Sequence, residues 1–248
     1  MNNTDIIERL KKSLEFYQEL GFESLPGRLV QKCRNTAVQK YNKEQNSNCR
    51  PFPLAPFPLP LNKDSALKSL RDEIGDCQRC KLCRNRTNIV FGEGSPDAKI
   101  IFIGEGPGRD EDLQARPFVG EAGQLLTRLI EKLGMKREDV YIANIVKCRP
   151  PNNREPEADE ITTCKPFVEK QIEIIKPKLI VSLGKVSSHA LAGNKIPISK
   201  MRGIFFEYHN IPLMPTFHPA YLLRNPKDKW LTWDDMQKVL EQLTKTGS

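Results

Sequence analysis

The chain has 248 residues, enough for one sizeable domain with an appendage, and its 39 Lys and Arg outnumber 31 Asp and Glu, a formal charge of +8. That excess suits a polyanionic partner, with nucleic acid the first candidate. No apolar run approaches the roughly 20 residues that span a bilayer, and Met1-Asn2-Asn3-Thr4-Asp5 lacks the regions of a signal peptide. The expectation is a cytoplasmic protein without membrane contact. Structural disulfides are rare there, so the seven cysteines need another use.

In chain order, Ile6, Ile7, Leu10, Leu14 and Tyr17 recur at helical spacing over residues 4–20. Residues 21–50 are polar and basic and include Cys33 and Cys49. The stretch from Pro51 to Pro60 has five prolines in ten residues, which excludes a helix interior or a central strand and reads as a polyproline-like linker. Residues 1–62 are therefore expected to be an extension of helix and proline-rich linker, and 63–248 the functional domain. Within it, helices are expected over 65–76, 121–133, 157–175, 185–191 and 229–243. Strands are expected over 99–103, 140–146 and 178–183, with shorter ones near 203–208 and 211–216. Apolar strands separated by helical patterns imply an α/β fold with a parallel sheet covered on both faces.

The apolar run Ile100-Ile101-Phe102-Ile103 leads directly into Gly104-Glu105-Gly106-Pro107-Gly108. Open α/β sheets bind ligands at the carboxyl ends of their strands, and glycines let backbone approach a flat ligand. The following Asp110-Glu111-Asp112 is a poor cradle for phosphate and argues against an ordinary nucleotide pocket. His218 ends the last short strand before a proline turn, so it can enter the same crevice as Glu105. Leu222 and Leu223 stand beside Arg224 in an expected loop, where apolar residues can wedge into a base stack while a cation holds phosphate; the alternative is two core leucines. Phe118, within Arg116-Pro117-Phe118-Val119-Gly120, can offer its face to a base or act as a helix staple. Asn144 is an amide in an apolar strand, and its donors and carbonyl can pair with a base edge or a neighbouring loop. His189 and His209 read as structural.

Cys77, Cys80 and Cys83 form a C-x2-C-x2-C run, while Cys148 and Cys164 lie far along the chain. Thiolates favour zinc or iron–sulfur clusters, and four-cysteine zinc sites usually comprise two close pairs. One close group joined by two distant cysteines favours a [4Fe–4S] cluster. Spacing alone does not choose between Cys80 and Cys83.

Together these motifs, over about residues 65–243, resemble the family 4 uracil-DNA glycosylases, the iron–sulfur members of the uracil glycosylase superfamily. The resemblance implies a three-layer α/β/α fold around a four-stranded parallel sheet. It implies removal of uracil from DNA as the first step of base-excision repair, by a nucleoid-associated enzyme. It implies cluster ligands Cys77, Cys80, Cys148 and Cys164, with Cys83 spare. It places Glu105, Gly106, Glu111 and His218 in the active site, uracil stacking on Phe118, and amide recognition at Asn144. Members that trap their product covalently carry a basic, histidine-containing insert after the first motif; Gly108 leads to Arg116 here without one, so trapping is not expected. Arg109 stands where the family often has a small or acidic residue.

On this reading the target nucleotide flips out of the helix. Leu222 or Leu223 fills the gap, Arg224 holds phosphate, and His218 donates to uracil O2 as charge develops. Glu105 or Glu111 faces the sugar or positions water. The alternative is a non-catalytic iron–sulfur DNA-binding or scaffold module on the same fold, which would lack the pocket residues. A redox carrier is disfavoured, because 104–108 lacks the G-x-G-x-x-G spacing. The enzyme is expected to act as a monomer. A sliding clamp or a replication or repair protein is the expected class of partner for the extension.

Overall fold

The computed structural model describes residues 62–245; the helix, polar stretch and proline-rich linker expected before them lie outside the described residues. In chain order the elements are α1 (Lys63–Ile74), β1 (Glu93–Gly94), β2 (Ile100–Gly104), α2 (Arg109–Gln114), α3 (Glu121–Lys132), β3 (Tyr141–Asn144), α4 (Ala158–Ile175), β4 (Leu179–Leu183), α5 (Lys185–Ala192), α6 (Ile198–Met201), β5 (Phe206–Tyr208), β6 (Ile211–Thr216), α7 (Pro219–Arg224) and α8 (Lys229–Lys245). No helix among the described residues is long and apolar enough to cross a membrane.

The expected three layers form because successive strand side chains point to opposite faces. Ile101, Ile103, Tyr141, Ala143 and Ile180 pack on one face with Leu67, Leu70 and Ile74 of α1 and Val168, Ile172 and Ile175 of α4. Ile100, Phe102, Ile142 and Val181 pack on the other with Leu126 and Ile130 of α3 and Met236 and Val239 of α8. The strand order is β1-β3-β2-β4-β6-β5. The four central strands are parallel, as expected, but β1 and β5 add antiparallel edges, making six strands among the described residues. The β5 edge follows from a tight hairpin whose two turn residues, His209 and Asn210, have φ of 48° and 64°, the left-handed pair that matches strand twist.

Parallel register brings the chemistry to one end. Gly104 of β2 lies opposite Asn144 of β3. Pairing continues past the strands, with the Ile145 amide donating to Gly104 O at 3.0 Å and the Val146 amide to Glu105 O at 3.1 Å. On the other side Leu183 of β4 pairs with Thr216 of β6, two residues before His218.

Two segments expected as loops are helices. The acidic run opens α2, where Asp110, Glu111 and Asp112 occupy the first turn and carboxylates interact favourably with unpaired amides. The loop expected at Leu222, Leu223 and Arg224 is α7, started by Pro219 with His218 as its N-cap; proline suits a first helical position because it needs no amide donor there.

Asp112 is buried and accepts from the Thr87 amide at 2.8 and 3.0 Å and the Asn88 amide at 3.1 Å. It thereby fastens α2 to the segment after the cysteine run. Replacing it with alanine empties a buried position and removes its bonds to the Thr87 and Asn88 amides, at about 1–3 kcal/mol. Asp112→Ala should lower the thermal midpoint by roughly 2–10 °C in scanning calorimetry; an unchanged midpoint would contradict this fastening role.

Candidate active site

The site is built around a position with no side chain. A Cβ on Gly104 would stand 2.4 Å from Asn144 Oδ1 and 2.5 Å from Phe118 Cζ. The Asn144 amide and the Phe118 ring therefore share the space at the end of β2. Asn144 Oδ1 is buried and has no hydrogen-bond partner among the described residues. Buried polar atoms are seldom left so; this one is an acceptor in need of a donor.

Phe118 sits in a left-handed backbone conformation, φ 51°, which surrounding contacts must hold. Glu111 Oε1 accepts from the Val119 amide at 2.8 Å and the Gly120 amide at 3.0 Å. Arg137 Nη2 donates to Pro117 O at 2.6 Å, and Glu93 accepts from Arg116 and Arg137 at 2.7 and 2.6 Å. Gly123 of α3 lies beneath: a Cβ there would meet the Phe118 carbonyl at 1.9 Å. The ring is thus fixed, with its centroid 5.6 Å from that of His218.

The two carboxylates have different surroundings. Glu111 is engaged by the loop amides. No hydrogen bond reaches the Glu105 carboxylate among the described residues, and burial, reinforced by the negative charge of Glu155 and opposed by Lys185, pushes its pKa up to about 7. Gly106 packs tightly beside it, since a Cβ there would stand 2.6 Å from Val146 Cγ2.

His218 is half-buried by surface, yet enclosed enough that burial, aided by the Arg224 charge, lowers its pKa to about 4. Its Nδ1 accepts from the Ala220 amide at 3.2 Å. A ring nitrogen that accepts carries no proton, so the neutral imidazole holds its proton on Nε2 and can donate from there. In α7, Leu222 is 3% exposed and packs inward, Leu223 is partly exposed, and Arg224 is exposed. Of the two leucines, Leu223 is the one available to a ligand. An apolar cavity of about 270 Å³ lies behind α7 between α3 and α8, lined by Leu126, Leu129, Leu183, Phe217, Leu222 and Trp233 among others, and not by Glu105, Phe118, Asn144 or His218.

Cys77, Cys80, Cys148 and Cys164 line a separate cavity together with Lys147, whereas Cys83 does not. Arg79 Nη1 donates to Cys77 Sγ at 3.2 Å, Arg86 Nη1 to Cys148 Sγ at 3.3 Å, and the Lys147 amide to Cys164 Sγ at 3.3 Å. Among the described residues no group of three or more such ligands is arranged to hold a single ion. Four thiols ringed by cationic and amide donors fit an anionic, sulfur-ligated group larger than one ion.

Several supporting residues carried no local signal. Glu93 and Arg137 meet across 44 positions. Gly123 could have been suspected, because glycine inside a helical pattern costs about 1 kcal/mol and implies close packing. Lys147, a charge among apolar neighbours, could have been suspected too.

Fold and site together define a member of the uracil DNA glycosylase superfamily, whose family model matches residues 91–244. The chain is 49% identical over 187 residues to the type-4 uracil-DNA glycosylase of Saccharolobus solfataricus, spanning 72% of this chain and 87% of that one. It is 46% identical to that of Sulfurisphaera tokodaii, over 71% of this chain and 84% of the relative. With the Thermotoga maritima enzyme it shares 44% identity over 75% of this chain and 98% of the relative. The chain belongs to the type-4 uracil-DNA glycosylases.

Glu105 carries a stability consequence. Its folded pKa lies above its ordinary value of 4.5, so its protonated form suits the fold. Its favourable contribution is complete below about pH 4.5 and is lost as pH rises through about 7. Glu105→Gln should therefore stabilise the protein at pH 8 by about 1–2 kcal/mol, discounted for partial exposure, with no difference at pH 4.5. Thermal melts at the two pH values check the sign; a destabilised variant at pH 8 would contradict it.

Proposed function

We infer that this enzyme recognises uracil in DNA by pairing its flipped base with Asn144, stacking it on Phe118 and receiving its developing charge at His218. The protein is a monofunctional uracil-DNA glycosylase of base-excision repair: it hydrolyses the N-glycosidic bond and leaves free uracil and an abasic site. The observation that carries the recognition reading is the unpartnered acceptor Asn144 Oδ1 beside the Phe118 ring. Uracil N3–H is a donor of the kind it needs, whereas cytosine presents an acceptor at N3. The Asn144 amide NH2 would donate to uracil O4, where cytosine carries an amino group.

In the cleavage step the C1′–N1 bond breaks as a water oxygen joins C1′. The sugar becomes cation-like and the bonding electron pair leaves with the base. The Nε2–H of neutral His218 would donate to uracil O2; such preorganised donors are worth about 3–4 kcal/mol. Glu105, freer than Glu111, would face the sugar or orient the water. Glu111 would act through the loop amides that hold Phe118, and Gly106 would keep the backbone close. Leu223 would enter the gap left by the flipped nucleotide, supported from behind by Leu222, while Arg224 holds phosphate.

A [4Fe–4S] cluster held by Cys77, Cys80, Cys148 and Cys164 is the cofactor their arrangement suits. It would supply covalent cross-linking between the cysteine run and the segment after β3. The enzyme would act as a monomer on uracil-containing DNA in the cytoplasm, near the nucleoid. The extension, residues 1–62, is proposed to tether a sliding clamp or a replication or repair protein.

The test is excision by anaerobically purified protein on matched uracil- and thymine-containing oligonucleotides, followed by alkaline cleavage of abasic sites. Only the uracil strand should break. His218→Ala should lose roughly 10²–10³ in kcat while retaining DNA binding. A variant as active as wild type would overturn the role of His218, and wild-type DNA binding without excision would favour a non-catalytic module.

A further inference from the structure

Lys147 is fully buried directly after the strand that carries Asn144. Its ammonium donates to the Asn144 carbonyl at 3.0 Å and to Gln171 Oε1 at 2.6 Å. Gln171 is itself anchored, donating to Phe91 O at 2.9 Å. No carboxylate forms an ion pair with Lys147 among the described residues. Yet a buried charge is costly unless it is paired. The neighbouring acidic groups belong to the thiol cavity, whose wall Lys147 shares and where its own amide binds Cys164 Sγ.

We propose that Lys147 is a positioning residue coupling the thiol cavity to base recognition: its charge is the internal counter-ion of the anionic iron–sulfur cluster, and its ammonium fixes the Asn144 peptide. This rests on the cluster and uracil-reading assignments above. The geometry makes one side chain serve both sites. The cluster offsets the cost of burying the cation, and the cation orients the end of β3 from which Asn144 reaches the base. Loss of the cluster would then loosen base recognition as well as the cysteine segment. Conversely, loss of the cation would weaken retention of the cluster.

The test uses full-length, cluster-loaded protein with Lys147→Met, which removes both charge and donor, and Lys147→Gln, which removes the charge and keeps an amide donor on a shorter side chain. Two quantities are read: the rate of iron release to a chelator, followed by cluster absorbance, and the inhibition constant of free uracil in the excision assay, per loaded enzyme. K147M should release iron about 10–100-fold faster, the scale of loss of an outer-sphere partner, and bind uracil roughly tenfold more weakly. K147Q should release iron as fast as K147M but bind uracil more tightly than it. Wild-type iron retention or wild-type uracil affinity in K147M would overturn the coupling. If K147M does not fold, slow iron release from K147Q overturns the counter-ion role. Wild-type protein that holds no iron, or excises no uracil, would instead refute the assignments on which the coupling rests.

Discussion

Where β2 and β3 end side by side, the missing side chain of Gly104 leaves a space that the Asn144 amide and the Phe118 ring fill. Any Cβ there would displace one or both. The parallel register fixes which residues meet at that point. The backbone bonds beyond the strands then keep Glu105 and Val146 in step. Three contacts hold the Phe118 loop still: the Glu111 carboxylate on two loop amides, the Arg137 guanidinium on Pro117, and the Gly123 contact that brings α3 against the Phe118 backbone.

The electrostatics follow from the same enclosure. Burial lowers the pKa of His218 and raises that of Glu105. A neutral imidazole whose proton is directed to Nε2 by the Ala220 amide suits a hydrogen bond to a base that is becoming an anion. A carboxylate held at some cost in stability suits a sugar that is becoming a cation. On the proposed mechanism both groups would be preorganised toward charge that exists only along the reaction, which is where electrostatic catalysis is most effective. The division between Glu105 and Glu111 comes from their partners: identical chemistry, one acid occupied by amides and one not.

Much of this architecture was legible in the sequence. Continuous apolar runs marked β2, β3 and β4, a shorter run marked β6, and helical stripes marked α1, α3, α4 and α8, because burial on both faces of a strand leaves an unbroken apolar pattern. The glycine-rich loop, Asn144 and His218 were legible because polar or flexible residues at strand ends stand out against apolar runs. The helices at 109–114 and 219–224 were not. Each is six residues long, too short for a periodic signal, and the second begins with an uncommon histidine cap. Leu222 and Leu223 could not be separated by sequence, since their difference in burial arises only once α7 packs. The Glu93–Arg137 and Lys147–Gln171 pairings join distant segments, so even where one partner stands out, as Lys147 does among apolar neighbours, nothing local names the other.

The proposed reading of uracil depends on one hydrogen bond, from uracil N3–H to Asn144 Oδ1. Inhibition of excision by free uracil and by 3-methyluracil tests it directly, because the methyl group removes that donor and adds bulk beside the acceptor. Uracil should inhibit competitively, and 3-methyluracil should be at least about tenfold weaker, the equivalent of roughly 1.4 kcal/mol. Equal inhibition by the two compounds would contradict it.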